Sequence, residues 1–529
     1  MRRAGRRGSF APRDAGSGLR WINVAALAVL IGMMLAACGG GATDPAASAN
    51  PPRGTLLQSP PELLSTVTAP SLLLELNTVA NQQLLTLGGP PVCDILIYHI
   101  KYVTVGGANE ATTGSGALIV PTGLGTTCTG SRPIVLYAHG TTTDRAFNIA
   151  DLRNAETLLL AALFASQGYI VVAPNFAGYD TSTLSYHPYL IADQQSKDMI
   201  DALTAARTAL PFASALLTRD SGQVFITGYS QGGYVAMATQ RAMQSAAMAV
   251  TAAAPMSGPY ALAAFVDAVF YGRVNGGATV SSTLLITAYQ KSYANIYASA
   301  GDVFEAPYAN GIESLLPSLL PRSELYAQMK LPSSALFSRV PPAPAFADIT
   351  PPTTPANLAA VFALGFDTGN LIRISYRLSY LQDAQANPDG GWPTATTGMA
   401  AGAPGLALRR ALQRNDLRDW TPTAPTLLCG GDADPVVFWL NTQLMQGYWA
   451  VHAPASVPVS VLDLETTPSG SDPYANLKTD FALAKELVAA TAVAHGAIDG
   501  GAAAVATAYH ATLVAPLCFA AARSFFAAH

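Results

Sequence analysis

Charged side chains are scarce in this sequence of 529 residues: Asp, Glu, Lys and Arg make up 12% of it, whereas hydrophobic residues make up 50%. The first 37 residues contain six arginines and Asp14, so the remainder holds 23 basic and 32 acidic residues and a net charge of −9. A negative surface repels a phosphate backbone, so this balance argues against a nucleic-acid partner. No second apolar run of about 18 residues follows, and we expect no further membrane-spanning segment.

The N-terminal stretch has the features of an export signal. A segment with four arginines precedes the uncharged apolar residues 21–37, which end in Leu-Ala-Ala before Cys38. This length is typical of a signal peptide rather than of a spanning helix of about 20 residues. The Leu-Ala-Ala-Cys ending is similar to a bacterial lipobox. We therefore predict a lipoprotein signal peptide over residues 1–37 and lipidation of Cys38, with ordinary cleavage and full secretion as the alternative.

The residues after the predicted signal peptide are rich in Gly, Ala, Ser and Pro, and we expect residues 38–60 to form a flexible tether. Gly39 favours sorting to the outer membrane. The expected protein is an outer-membrane lipoprotein whose only membrane attachment is the lipid on Cys38, or else a secreted, extracellular protein.

Cysteine is also scarce, and its spacing is unlike that of a metal site. Apart from Cys38 there are four cysteines, accompanied by neither a C-x-x-C pair nor a histidine cluster. In an exported protein this pattern favours disulfides, and we expect no bound metal. Three pairings are possible. We favour Cys93–Cys128, which would connect the ends of the first predicted hairpin, and Cys429–Cys518, which would join a strand to the closing helix; four buried thiols are the alternative.

The order of predicted elements indicates an α/β fold. Two alternating, β-rich segments, 94–105 and 114–121, predict an antiparallel pair. Strands and helices then alternate, which predicts a mostly parallel sheet with helices on both faces. The expected strands are 133–138, 169–174, 223–227, 249–254, 425–428 and 457–462, and the expected helices are 154–167, 192–210 (stopped by Pro211), 438–450 and 511–527.

This alternation stops for about 160 residues, between residues 258 and 420. The stretch contains helical pieces at 281–297, 357–364 and 371–382 and a Pro-rich segment. A structureless loop of this length is improbable inside a compact domain. We therefore predict an inserted lid domain over residues 258–420, within a core formed by residues 61–257 and 421–529.

A glycine-rich motif, Gly228-Tyr229-Ser230-Gln231-Gly232-Gly233, links a predicted strand to a helical stretch. The pattern small-x-Ser-x-small at such a turn is typical of the nucleophile elbow of α/β-hydrolases, in which the strained serine needs neighbours without bulk. We predict Ser230 as the nucleophile and the backbone N–H of Gln231 as an oxyanion donor. A plain Gly-rich turn is the alternative.

A nucleophilic serine needs a base and an orienting acid, which follow it in the order acid, then histidine, in α/β-hydrolases. Asp432 and Asp434 both follow the predicted strand 425–428. The spacing Gly431-x-x-Asp434-x-x-Val437 favours Asp434, with Asp432 as the alternative.

The base is selected from seven histidines by their place in the chain. Only His495 and His510 follow the acid at a suitable distance, because His452 is too close to it and His529 is the last residue. We predict His510, expected on a loop that leads into the closing helix, and we expect His495 at the surface.

A second oxyanion donor is expected after the strand 133–138, where the chain continues as His-Gly-Thr. The backbone N–H of Thr141 is the candidate. For His139 we favour a structural role, in which its hydrogen bonds hold this loop.

These motifs together resemble the secreted lipase/esterases of plant-pathogenic xanthomonads, a likeness that covers about residues 90–300 and 415–526. The resemblance implies an α/β-hydrolase with an inserted lid that acts on ester bonds, in that family partly in plant cell-wall degradation, with Ser230, Asp434 and His510 as the triad. It rests on the segments 137–143, 228–233, 237–241, 254–260 and 425–430 and on the tail from His510 to Cys518.

The leading hypothesis is a carboxylic-ester hydrolase, expected to be a monomer without a cofactor, that acts on small-molecule, lipid or cell-wall esters through an acyl-enzyme. A serine peptidase of the prolyl-oligopeptidase type has the same elbow, but it usually carries a propeller domain and no blade-like repeat precedes residue 90. The third hypothesis is a catalytically inactive, surface-binding lipoprotein, and the complete set of Ser, Asp and His argues against it.

Overall fold

The computed structural model describes residues 51–214, 217–389, 398–400, 402–452 and 458–529. The predicted signal peptide and Cys38 lie outside the described residues. Of the predicted tether, residues 51–60 are described, and part of this segment lies along the first long strand: the N–H groups of Gly54 and Leu57 donate to the carbonyls of Val103 and Lys101.

Nine strands form one sheet in the order β1-β2-β3-β5-β4-β6-β7-β8-β9. The first three junctions are antiparallel and the remaining five are parallel. The predicted antiparallel opening and parallel continuation are therefore confirmed. The strands are β1 (Glu62–Val67), β2 (Asp94–Val105), β3 (Ala111–Thr122), β4 (Gly130–Ala138), β5 (Ile170–Pro174), β6 (Thr218–Tyr229), β7 (Ala252–Met256), β8 (Thr426–Gly430) and β9 (Val459–Asp463).

Sixteen α-helices occur in the described part of the chain. They are α1 (Ala69–Leu76), α2 (Gln82–Gly88), α3 (Ala155–Leu163), α4 (Ala192–Ala213), α5 (Gln231–Ser245), α6 (Leu262–Phe270), α7 (Ala278–Tyr293), α8 (Ala306–Ala309), α9 (Arg322–Ala327), α10 (Ala356–Ala363), α11 (Ile374–Ala386), α12 (Ala407–Arg414), α13 (Leu440–His452), α14 (Ala475–Ala494), α15 (Ala502–Ala508) and α16 (Ala515–Ala527).

The sheet separates two hydrophobic clusters, because successive side chains of a strand point to opposite faces. In β4, Ile134 and Leu136 belong to one cluster, whereas Val135 and Tyr137 belong to the other. Helices α4 and α5 cover the first face, and α3 and α16 cover the second. The protein thus has the α/β-hydrolase fold, with helices on both faces of a mostly parallel sheet.

Helices α6 to α12 lie between β7 and β8, and the described residues of the segment 258–420 form helices and turns but no strand. Their buried side chains belong to the same cluster as the first face of the sheet. The limits of an inserted lid remain a prediction.

One expected helix end was wrong. Helix α4 continues through Pro211 to Ala213 instead of stopping at the proline. Beyond the first turn of a helix, proline cannot donate to the carbonyl four residues earlier, and its ring crowds that carbonyl. The proline thus weakens the end of α4 without ending it at once, because the helix stops only two residues later, at Ala213.

The closing helix begins earlier than expected. Helix α15, a π-helical turn (Tyr509–Val514) and α16 form one helical run, Ala502–Ala527. By length and composition this run could cross a membrane. In the structure Leu517 and Cys518 of this run are buried in the second cluster, as expected for a core helix.

Both favoured disulfides are present. Cys93 pairs with Cys128 across a Cα–Cα distance of 5.3 Å, and Cys429 pairs with Cys518 across 5.6 Å. The second disulfide links β8, the strand that precedes Asp434, to α16, the helix that follows the turn with His510.

Removal of the Cys429–Cys518 disulfide is expected to lower activity and stability together. In the chain-entropy model, closing a loop of 89 residues stabilises the fold by roughly 4–5 kcal/mol. The double variant Cys429→Ala/Cys518→Ala should lose about this much in urea unfolding and also lose turnover, since strand and helix are no longer joined. The matched control, Cys93→Ala/Cys128→Ala, should lose stability and keep its turnover number. Equal turnover in both double variants would contradict the prediction.

Candidate active site

Ser230 lies at the sharp turn between β6 and α5, with φ 60° and ψ −122°, a region that L-residues rarely adopt. The turn is possible because the positions two residues before and two residues after Ser230 are glycines. A Cβ at Gly232 would collide with the carbonyl oxygen of Ala138, and one at Gly228 would collide with the carbonyl oxygen of Gly232. The sequence motif therefore forms the expected strand–turn–helix geometry, with the half-buried Ser230 at its tip.

The structure brings His510 and Asp434 together. His510 Nδ1 lies 2.6 Å from Asp434 Oδ2, and the two residues are 8% and 1% exposed. The N–H groups of Val436 and Val437 donate to Asp434 Oδ1 at 2.8 and 3.1 Å, so the whole carboxylate is held in place. Asp432, in contrast, is exposed.

The local conformation of His510 differs from the expected loop. His510 is the second residue of the π-helical turn Tyr509–Val514. Such turns are rare and often occur at functional sites. Sequence periodicity could not reveal this turn, because the flanking residues are ordinary helix formers. His495, the rejected alternative, is exposed at the end of α14.

Ser230 and His510 face one cavity of about 1580 Å³. The second ring nitrogen of His510, Nε2, is buried and has no hydrogen-bond partner among the described residues. A buried, unpaired nitrogen in a cavity that also contains a serine hydroxyl is free to exchange a proton with a bound molecule.

The two predicted oxyanion donors line the same cavity. Gln231 is the first residue of α5, where N–H groups lack helical partners. Thr141 follows β4, and its hydroxyl lies 2.9 Å from the hydroxyl of Tyr189.

His139 is fully buried and stacks on Phe176, with ring centroids 4.2 Å apart. Its Nε2 lies 3.0 Å from the carbonyl oxygen of Asn175. Burial lowers its pKa. These contacts hold the loop after β4 and are consistent with the structural role expected for His139.

His187 and Glu156, which no sequence motif marks, also lie beside the site. His187 Nε2 lies 2.7 Å from Gln231 Nε2, and its Nδ1 lies 3.0 Å from the carbonyl oxygen of Ala177. Glu156 accepts hydrogen bonds from the Tyr137 hydroxyl at 2.5 Å and from the Gly140 N–H at 3.3 Å. In both cases the contacting residues are far apart in the sequence, so no local motif predicts these contacts.

Within the residues that the structure describes, no group of three or more His, Cys, Asp or Glu side chains could hold a metal ion. The side chains and groups that the structure brings together at the cavity are a serine, a histidine paired with a carboxylate, and backbone N–H groups. Such a set carries out nucleophilic catalysis on acyl compounds.

The fold and this set of side chains define a serine hydrolase of the α/β-hydrolase type. A family model, the prolyl oligopeptidase family, matches residues 157–293, a segment that includes the elbow. No curated protein matches the sequence.

Solved structures confirm the likeness to xanthomonad esterases. A variant of the rice cell wall degrading esterase LipA from Xanthomonas oryzae is 25% identical, with a TM-score of 0.65, over 90% of this chain and 99% of that chain. Another LipA structure is 28% identical, with a TM-score of 0.61, over 81% and 95%. A putative hydrolase from Legionella pneumophila shares the fold at 20% identity, with a TM-score of 0.56, over 77% and 91%.

Acid should weaken the fold through His187. Burial lowers the pKa of this imidazole to about 3, whereas the unfolded chain titrates near its ordinary value of about 6.5. As the pH falls below about 6.5, His187 becomes protonated in the unfolded state but stays neutral in the folded state. The free energy of unfolding therefore decreases until the pH reaches about 3. Between pH 6.5 and 5 this loss amounts to roughly 2 kcal/mol.

Urea unfolding at pH 7 and pH 5 checks this expectation. The variant His187→Gln, which keeps a hydrogen-bonding group near Gln231, should lose less stability on acidification than the wild type. His495→Gln, at an exposed histidine, is the control and should behave as the wild type. The same acid slope in all three proteins would show that His187 does not cause the loss.

Proposed function

We propose that the protein is a carboxylic-ester hydrolase that works through an acyl-enzyme. Ser230 Oγ attacks the acyl carbon while His510 Nε2 takes the hydroxyl proton and passes it to the departing alkoxide. Water then attacks the acyl-enzyme and gives a proton to His510, which passes that proton to Ser230 Oγ as the carbon–oxygen bond to the serine breaks and the acid is released. Asp434 holds the imidazole, and the N–H groups of Gln231 and Thr141 stabilise the oxyanion.

The observation that carries this proposal is the buried hydrogen bond between Asp434 and His510, because His510 lines the same cavity as the strained Ser230. The Asp434 carboxylate binds Nδ1 and so fixes the orientation of the imidazole ring. The other ring nitrogen, Nε2, is then available to exchange protons with Ser230 and the substrate. The similarity to LipA supports ester bonds as the substrate class.

The cavity wall formed by the segment between β7 and β8 supports an acyl-binding role for the predicted lid. Apolar side chains dominate there, as expected for an acyl pocket. They include Leu262, Phe265, Val266, Val269, Val280, Leu285 and Ile286. We infer that acyl chains lie against α6 and α7, and that cell-wall esters, the target named for LipA, are candidate substrates.

A serine peptidase is the second candidate, because the prolyl oligopeptidase family model matches the segment with the elbow. Both classes share this segment, so the match alone does not favour amides. Turnover of a panel of p-nitrophenyl esters, triglycerides and feruloyl esters, compared with peptide amides, separates the candidates: an esterase should leave the amides intact, whereas turnover of peptide amides would favour the peptidase, since serine peptidases also cleave activated esters.

Export is part of the proposal. Two disulfides are compatible with an oxidising compartment. We propose that Cys38 carries a lipid that tethers the enzyme to the outer membrane. Metabolic labelling with a fatty-acid analogue would test this proposal, and unlabelled wild-type protein would support free secretion.

The triad roles are tested by replacing each side chain. Ser230→Ala and His510→Ala should lower kcat by at least about 10³-fold with an unchanged fold, because the triad acts as a unit. Fluorophosphonate labelling should disappear in Ser230→Ala. The matched control His495→Ala should retain full activity. Near wild-type turnover in His510→Ala would refute the assigned base, and no labelling of the wild type would favour an inactive scaffold.

The acyl pocket is tested by narrowing it. Val266, half-buried on α6, lines the cavity, and Val266→Trp should lower kcat/KM for p-nitrophenyl octanoate about tenfold or more while sparing the acetate, since only long chains reach the wall. Val493→Trp, at an exposed valine of α14, should change neither substrate. Equal losses for acetate and octanoate would show that α6 does not contact the acyl chain.

A further inference from the structure

Two tyrosines, each directly before a residue of the proposed triad, link the three triad positions through their hydroxyl groups. Tyr229, which precedes Ser230, donates its hydroxyl to the backbone carbonyl of His510 at 2.5 Å. Tyr509, which precedes His510, accepts a hydrogen bond from the N–H of Ala433 at 3.2 Å. Ala433 in turn precedes Asp434.

The Tyr229 hydroxyl contacts the histidine twice. Besides its bond to the His510 carbonyl, it lies 3.4 Å from Nδ1, the atom that faces Asp434, and the two rings are 4.8 Å apart. Burial, and then the nearby charge of Asp434, raise the pKa of Tyr229. The phenol therefore keeps its proton and can donate it to the carbonyl.

The Tyr509 hydroxyl is fixed from the other side. It donates to Glu465 Oε1 at 2.8 Å, and the second oxygen of Glu465 contacts Lys485 Nζ. Burial and the carboxylate of Glu465 raise the pKa of Tyr509, so this phenol also remains protonated. Its one proton goes to Glu465, and its oxygen is left to accept from Ala433.

The need for these bonds follows from the backbone around His510. The histidine lies in a π-helical turn, which is less favourable than the α-helix on either side. Rearrangement of this turn to α-helix would rotate the imidazole away from Asp434. Two side-chain bonds, one at each side of His510, oppose that rotation.

We propose that Tyr229 and Tyr509 are positioning residues, whose hydroxyl groups hold the π-helical turn and keep His510 aligned with Asp434 and Ser230. The inference rests on the proposed function, because alignment matters only if these three residues react. It assigns a role to two tyrosines that do not themselves exchange protons with the substrate.

Removal of each hydroxyl tests the proposal. Tyr229→Phe and Tyr509→Phe should each lower kcat about tenfold, the effect of one well-placed hydrogen bond, with little change in KM. The downfield proton resonance of the bond between His510 Nδ1 and Asp434 should shift or broaden in both variants. The matched control is Tyr98→Phe, because the buried Tyr98 also donates to a backbone carbonyl, that of Ala213, on the far side of the sheet. It should lose similar stability but keep kcat and the resonance.

A second pair of variants covers the case in which Tyr509→Phe does not fold. Glu465→Leu removes the acceptor of the Tyr509 hydroxyl and should reproduce the loss of kcat, whereas Glu465→Gln retains an acceptor and should restore most of it. Wild-type kcat and resonance in the folded tyrosine variants, or an equal loss of kcat in Tyr98→Phe, would overturn the proposal. Full activity in Ser230→Ala would instead overturn the proposed function itself.

Discussion

The closeness of the first turn of α5 to the end of β4 is the constraint on which the site depends. Without side chains at Gly228 and Gly232, the helix can begin directly against the carbonyl of Ala138. This contact forces Ser230 into its unusual backbone conformation and brings the loop with Thr141 beside it. The proposed nucleophile and both candidate oxyanion donors are therefore fixed by a single packing contact, which any larger residue at Gly228 or Gly232 would break.

Asp434, the proposed acid, follows a strand that the parallel ladder brings to the same edge. β6, β7 and β8 are neighbours in the sheet, so the chain leaves β8 near Ser230 and reaches Asp434 within four residues. The helix after His510 is joined to β8 by Cys429–Cys518. The segments that carry Asp434 and His510 are thus joined by a covalent link close to both residues.

The parts of the fold that sequence reasoning predicted are those that local chemistry decides. The elbow needs glycines at fixed positions, and buried strands need runs of apolar residues. Helix α14 and the π-helical turn at His510 were not predicted: α14 is mostly exposed and alanine-rich, and the bonds that His510 and Tyr509 make in the turn go to residues far away in the sequence, Tyr229 and Ala433. Tertiary contacts of this kind cannot be predicted from the spacing of residues in the sequence.

Scarcity of charge makes the few buried ion pairs informative. Asp267 on α6 pairs with Arg409 on α12 at 2.6 Å, and both side chains are at most 3% exposed. The Tyr380 hydroxyl of α11 donates to the same carboxylate at 2.7 Å. Breaking such a pair leaves an uncompensated buried charge, which costs about 3–5 kcal/mol. Since α6 also lines the cavity that Ser230 faces, this ion pair and the hydrogen bond from Tyr380 hold that wall of the cavity in place from the side away from Ser230.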